Sequence, residues 1–250
     1  MISSSGSYRI LFIVDGISFC FFLLTISIGI QETLQAQTKA VRFISGYTTA
    51  LRDRRLLVYV AVNIILTVYI SQTQTTLPLY FSGFVSQAGA SGFSPQIIST
   101  LFTGHLLMTI AAQLPMLKLL QKLSHARSLM ISGGFWMFGF ICISITGTAA
   151  NLQILWASLG LGLFALAIVC YTPTASALIA DLAPPSLRGV YTSINSLCWA
   201  AGYAIGPPLG GWALDRSVEF AHNFWLGLAA TLPIVWAILL WLERSISAND

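Results

Sequence analysis

The sequence predicts an all-α integral membrane protein with seven transmembrane helices, and three observations lead to that prediction. Of the 250 residues, 56% are hydrophobic and only 8% are charged, against about 25% charged residues in a typical soluble domain. The mean hydropathy is +0.80. Seven apolar segments are each close to the roughly 20 residues that a helix needs to cross the hydrocarbon core. The first predicted partner is therefore the lipid bilayer.

The apolar segments follow one another along the whole chain. They run roughly from Arg9 to Ile30, Leu56 to Phe81, Pro95 to Leu119, Ser128 to Gly147, Leu152 to Ala180, Val190 to Leu214 and Phe224 to Leu242. All connections are short except a polar, basic stretch after the first segment. We therefore expect a first transmembrane helix over residues 1–30, a linker over 31–55 and a six-helix bundle over 56–250.

The basic residues predict how the helices are oriented. Ten of the twelve Lys and Arg residues lie in alternate connections, and five of these lie in the linker. Cytoplasmic loops retain positive charge, so the linker and the C-terminus are expected in the cytoplasm and the N-terminus outside. This predicts a multi-pass protein of the plasma or inner membrane. The net charge of +4 then reflects topology, and no nucleic-acid partner is expected.

Three other interpretations compete with this prediction. The first segment resembles a signal peptide in position, but its apolar run is longer than the 7–15 residues of such peptides and Asp15 interrupts it. A seven-helix receptor agrees with the number of segments, but one helix followed by a linker and six closely connected helices is a different organisation. A retinal protein is disfavoured because the three lysines lie in loops or at helix ends.

No pattern in the chain predicts an enzyme. The cysteines, Cys20, Cys142, Cys170 and Cys198, lie far apart in apolar stretches without a CxxC pair, and we interpret them as small hydrophobic residues. Serine, histidine and acidic residues are scattered over different segments. We therefore predict no catalytic residue, no metal site and no cofactor.

The sixth segment contains a regular row of glycines. Gly202, Gly206 and Gly210 recur every fourth residue, so they form one flat stripe on which a neighbouring helix can approach closely. Pro207 and Pro208 remove two backbone donors and should bend the helix. The stripe is either a structural packing seam or, with the bend, a place where a moving bundle flexes.

Polar residues within the apolar segments are candidates for a substrate cavity, because a polar group that faces lipid costs free energy. The candidates are Asn63, Thr67, Gln74, His105, Gln113, Tyr171, Asn195 and Trp199. The alternative is that such side chains form hydrogen bonds between helices.

Two ionisable residues within the segments are candidates for proton coupling. Asp15 is the only carboxylate inside a predicted span, and His105 is expected near the midplane, where histidine can titrate close to physiological pH. A neutral His105 that donates to a neighbouring carbonyl is the structural alternative.

The stretch DLAPPSLRGVYTSINSLCWAAGYAIGPPLGGWALD resembles the tenth-to-eleventh helix region of transporters of the major facilitator superfamily, especially drug/proton-antiporter-like members. The pattern Gly-x-x-x-Gly-Pro-x-x-Gly-Gly recurs there. Its fixed positions are filled by Gly202, Gly206, Pro207, Gly210 and Gly211. The cytoplasmic turn before it matches at Asp181, Arg188 and Gly189.

Three further stretches extend the resemblance. VYISQTQTTLPLYFSG resembles the seventh helix of the family, and YRILFIVDGISFCFFLL resembles the sixth. LKLLQKLSHARSLMISGG is similar in position to the loop between the eighth and ninth helices, but it lacks the Asp and the glycines of the family pattern. Only Lys118, Lys122 and Arg127 match it, which puts a gating role for this loop in doubt.

The resemblance covers helices six to twelve of a twelve-helix transporter. It implies the C-terminal half of a secondary transporter that moves small organic solutes by alternating access, with proton-coupled efflux as the first expectation. Because alternating access needs a second bundle, it implies an N-terminal half or a second chain as partner. The alternative is a truncated or non-transporting membrane protein that is either a partner subunit or a relic.

Overall fold

The computed structural model describes residues 8–29, 43–87 and 90–247, which are almost entirely helical. The helices are α1 (Tyr8–Gly29), α2 (Phe43–Ala50), α3 (Arg54–Gln74), α4 (Thr76–Gly83), α5 (Pro95–Leu120), α6 (His125–Thr148), α7 (Gln153–Leu182), α8 (Arg188–Leu214) and α9 (Val218–Ser247). A 3₁₀ turn over Pro185–Leu187 precedes α8. The chain divides into two compact units, Met1–Ala40 and Val41–Asp250.

Six of the described helices are long and apolar enough to cross a membrane, namely α1, α3, α5, α6, α7 and α9. The prediction of an all-helical membrane fold is therefore confirmed for these six. Helix α8 is 27 residues long, which is sufficient to span, but its composition is less apolar. Its glycines, prolines and polar side chains account for the difference.

The second predicted span is interrupted. Helix α3 ends at Gln74 and α4 begins at Thr76, with Thr75 between them. Pro78 lacks an amide hydrogen, so the Gln74 carbonyl has no donor at the usual helical position. The helix thus breaks at Thr75, three residues before this proline.

Two short elements occur where the sequence predicts only loops. A small antiparallel hairpin pairs Ser86–Gln87 with Ala90–Ser91. Helix α2 occupies part of the predicted linker, whose residues 31–42 lie outside the described part of the chain. The Tyr47 hydroxyl of α2 lies 2.5 Å from the Ser193 hydroxyl of α8, so α2 packs on the bundle.

An aromatic cluster fills the centre of the six-helix bundle, where α6 packs against α7 and α9. The Trp136 and Phe164 ring centroids are 4.8 Å apart, and those of Phe140 and Phe164 are 5.0 Å apart. Trp225 joins this cluster with no exposed surface. A tryptophan in a membrane helix often lies in the interfacial belt, but Trp225 lies on the face of α9 that packs inward.

Candidate functional site

The glycine stripe of α8 lies against α3. A Cβ atom added to Gly206 would lie 1.8 Å from the Ser71 hydroxyl oxygen, and one added to Gly210 would lie 1.8 Å from that of Thr76. The Gln72 amide nitrogen donates to the Gly206 carbonyl across 2.7 Å. Because these glycines have no side chains, the polar groups of α3 can reach the α8 backbone.

The other two residues of the same motif differ in their surroundings. Gly211 has no atom within 4 Å of the place where its Cβ would be, and Pro207 is half-buried. The motif therefore divides into three glycines that hold α8 against α3 and two residues beside them.

A buried hydrogen-bond network joins α3, α7 and α8. The Tyr171 hydroxyl donates to the Asn63 side-chain oxygen across 2.6 Å, and the Asn63 amide donates to the Asn195 oxygen across 2.9 Å. The Tyr59 hydroxyl also donates to Asn195, at 2.6 Å. Asn63 and Tyr171 are each 1% exposed. The structure thus places three cavity candidates in an interhelical contact, which was the alternative for these side chains.

Thr67 is also part of the contact between α3 and α8. It is fully buried, and its hydroxyl lies 3.0 Å from the Cys198 carbonyl of α8. Neither Asn63 nor Thr67 faces an open space. Their polar stripe was recognisable in the sequence, but the sequence could not show that α8 covers it.

Gln74 of α3 forms an open polar and aromatic patch with Trp199 and Tyr203 of α8. The Tyr203 hydroxyl donates to the Gln74 side-chain oxygen across 2.6 Å. The Trp199 and Tyr203 rings are stacked, with centroids 6.3 Å apart. Gln74 is exposed and the two rings are half-buried. Tyr203 was not singled out from the sequence, although it follows Trp199 by one helical turn.

His105 lies at the contact between α5 and α7. Its Nδ1 atom is 2.8 Å from the Leu161 carbonyl oxygen of α7. A carbonyl oxygen can only accept, so Nδ1 carries a proton and donates. This bond is the structural alternative considered for His105, but the ring also lines an open cleft.

Two clefts lie along the seam of α5 and α7. The larger, which we call the large cleft, has a volume of about 630 Å³ and is lined by residues that include Thr100, His105, Met108 and Ser158. The smaller, which we call the small cleft, has a volume of about 270 Å³. Its lining includes Thr109, Gln113, Thr172 and Ser176. The candidates His105 and Gln113 thus line different clefts of one seam.

Asp15 lies on α1, which belongs to the other compact unit. Its backbone carbonyl accepts a hydrogen bond of 2.7 Å from the Ser18 hydroxyl. The residue is exposed on its own helix.

The predicted cytoplasmic turn forms a polar contact with the start of α6. The Asp181 carboxylate is 3.1 Å from Nε2 of His125, and Arg127 forms an ion pair of 2.8 Å with Glu243 of α9. Arg188 begins α8 and Gly189 follows it. The contact thus uses Asp181 but neither of the other two residues predicted in the turn.

A comparison with protein families identifies the class of this bundle. The profile of the Major Facilitator Superfamily matches residues 81–250. The chain belongs to the Major Facilitator Superfamily. The facilitator chain is therefore a multi-pass membrane protein of a transporter family and not an enzyme.

Solved transporters share the fold of this facilitator chain. A crystal structure of a POT family transporter in complex with 5-aminolevulinic acid has a TM-score of 0.63 at 17% identity, and the match covers 95% of this chain and 54% of that one. A mutant peptide transporter POT in complex with sulfate gives 0.64 at 15% identity, covering 98% and 54%. The same mutant in complex with alafosfalin gives 0.64 at 17% identity, covering 98% and 52%.

The facilitator chain thus spans about half the length of the solved transporters that it matches. No curated protein sequence matches it. The fold is that of half a facilitator transporter.

Proposed function

We propose that this chain is the C-terminal half of a secondary transporter that moves small organic solutes by alternating access. In this proposal α8 is a seventh membrane-spanning helix, and α1 corresponds to the sixth helix of the complete transporter. A second six-helix bundle, on an N-terminal segment or a second chain, faces α5, α7 and α8. The family and the half-length match support this architecture.

The observation that carries the proposal is the row of polar groups along the clefts of α5 and α7. Both helices are apolar enough to span a membrane, yet Thr100, Gln113, Thr172 and Ser176 are exposed on them. The Gln113 amide makes no hydrogen bond to any described residue and is costly in hydrocarbon, whereas the hydroxyls of Thr100, Thr172 and Ser176 donate to their own helices. A solute pathway between two bundles would expose these positions to water and solute instead of lipid, which accounts for their polarity.

Within this transporter, the three glycines of the α8 stripe hold α8 against α3, and the prolines beside them give α8 a place to bend. His105 and Asp15 are the groups proposed to couple solute movement to protons. The proposed direction is efflux, with the linker and the C-terminus in the cytoplasm. The basic residues of alternate loops support this orientation.

The first test uses the genomic DNA ahead of Met1. Five further apolar helices, in frame or after one frameshift, are expected there if the second bundle belongs to the same transporter. Without them, the bundle must be supplied by another chain.

The second test measures ethidium efflux from energised cells. The chain together with its N-terminal bundle should drive efflux that a protonophore abolishes, and the 250-residue chain alone should drive none. Protonophore-sensitive efflux by the chain alone would contradict the need for a second bundle. A complete transporter that moves ethidium equally well with and without the protonophore would contradict proton coupling.

A further inference from the structure

We propose that the large cleft between α5 and α7 binds an uncharged, amphipathic solute that donates a hydrogen bond, such as an aromatic alcohol. This inference rests on the proposed transport function, because it names the class of solute that the pathway accepts. The solute class follows from which side-chain protons in the cleft already form hydrogen bonds within the protein.

Three polar side chains of the large cleft have their protons committed to the backbone. The Thr100 hydroxyl donates to the Gln96 carbonyl across 2.9 Å, and the Ser158 hydroxyl donates to the Ile154 carbonyl across 2.7 Å. His105 donates from Nδ1 to Leu161. Each of these groups therefore offers only a lone pair to a ligand.

The free nitrogen of His105 is the central acceptor. With the proton on Nδ1, Nε2 of the neutral imidazole carries a lone pair. Nε2 makes no hydrogen bond to any residue that the structure describes. A ligand with an O–H or N–H group would satisfy it, whereas an ether or a carboxylate would bring an acceptor against an acceptor.

Apart from the exposed amide of Gln96 at the start of α5, the remainder of the cleft is apolar and uncharged. No acidic or basic side chain other than His105 occurs among the described residues of its lining, so an ionic ligand would be left without a counter-charge in a site of low polarity. Met108, Ile154 and Leu161 contribute apolar surface. The volume of about 630 Å³ falls within the usual range for small-molecule sites.

Two glycines leave the cleft open. No atom lies within 4 Å of the Cβ position of Gly104 or of Gly162. A larger side chain at either position would therefore occupy the cleft without displacing its walls. This provides a test that does not depend on removing a polar contact.

The experiment measures equilibrium binding of tritiated naphthylmethanol to the full chain in lipid nanodiscs, with protein-free nanodiscs subtracted. Naphthylmethyl methyl ether and naphthoate serve as competitors. The ether has the same ring and no donor, and naphthoate has the same ring and a negative charge. The alcohol should compete about five- to tenfold more strongly than either, the range expected for one net hydrogen bond.

Three variants test the location of the site. Gly162→Leu should abolish binding without lowering the unfolding temperature, and His105→Leu should remove the preference for the alcohol over the ether. Gly227→Leu is the matched control, because Gly227 is also a glycine of a membrane-spanning helix with no atom within 4 Å of its Cβ position. It should bind as the parent does.

Equal competition by the ether and the alcohol would overturn the inference, as would unchanged binding in Gly162→Leu. If His105→Leu unfolds, Thr100→Val tests the same preference with a smaller change. If the complete transporter moves solutes without preferring those that donate a hydrogen bond, the proposed binding site is wrong and the proposed function stands. Selective binding by a complete transporter that moves no solute would overturn the proposed function and leave the site intact.

Discussion

Gly202 of α8 lies directly against the backbone of Thr67 of α3. A Cβ atom added to Gly202 would lie 2.7 Å from the Thr67 carbonyl carbon and 2.4 Å from its hydroxyl oxygen. A hydroxyl can rotate away, but a backbone carbon in a packed helix cannot. The two helices therefore hold this distance only while residue 202 has no side chain.

Gly202→Ala should lower the free energy of unfolding by about 1–3 kcal/mol, the usual cost of overpacking. Thermal unfolding of the purified chain in detergent measures the loss. Gly211→Ala is the control, since nothing lies within 4 Å of its Cβ position and alanine favours a helix by about 1 kcal/mol over glycine. Equal stability of the two variants would contradict the close contact.

Asn195→Leu should also destabilise the bundle. The Asn195 oxygen accepts bonds from both Tyr59 and Asn63, and its removal leaves the buried Asn63 amide without that acceptor. The expected cost is about 1–3 kcal/mol. Ser196→Ala, which removes a hydroxyl bonded to its own helix at Thr192, should change stability by less than about 0.5 kcal/mol. A loss in Ser196→Ala as large as that in Asn195→Leu would argue against the network.

Arg127→Gln should have a small effect that depends on salt. The Arg127 side chain is open to solvent although its partner Glu243 is partly buried, and ion pairs that solvent screens contribute about 1 kcal/mol or less. The difference from the parent chain should shrink when salt is raised, because salt screens exposed charges. Arg188→Gln, which removes an arginine without an ion pair among the described residues, is the control. A loss that persists in high salt would assign Arg127 a larger role than its exposure predicts.

Reporter fusions along the chain test the orientation. Fusions after Arg55, Lys122 and Arg244 should report the cytoplasm, and fusions after Ser86 and Asn151 should report the outside. The physical reason is retention of the basic loops in the cytoplasm. A map that places Ser86 and Arg54 on the same side would contradict both the orientation and the predicted spans.

The sequence predicted the helices well because spanning length and apolar composition are local properties. It also predicted the close contact along Gly202, Gly206 and Gly210, since a four-residue spacing fixes one helix face. It did not predict the break at Thr75, because a proline in an apolar segment indicates a disturbed helix but not the residue at which the helix ends.

The candidate site was less predictable because it depends on which helices are neighbours. The polar stripe through Asn63 and Thr67 has the same spacing whether it faces a cavity or another helix, and α8 covers it. His105 was recognisable as an ionisable residue in an apolar segment. Its acceptor, Leu161, lies 56 residues further along the chain, and no local pattern connects them.

The central claim is that the exposed seam of α5 and α7 faces a solute pathway and not lipid. Its most direct test is the rate at which a charged, membrane-impermeant thiol reagent modifies Thr172→Cys, compared with Ile234→Cys on α9, in membranes of the native host. Both variants are made in a chain whose four cysteines are replaced by alanine. Thr172 lines the small cleft, and Ile234 is an exposed apolar residue. Modification should be much faster at residue 172, because the reagent needs water and a thiolate. Equal, slow modification at both positions would contradict the claim.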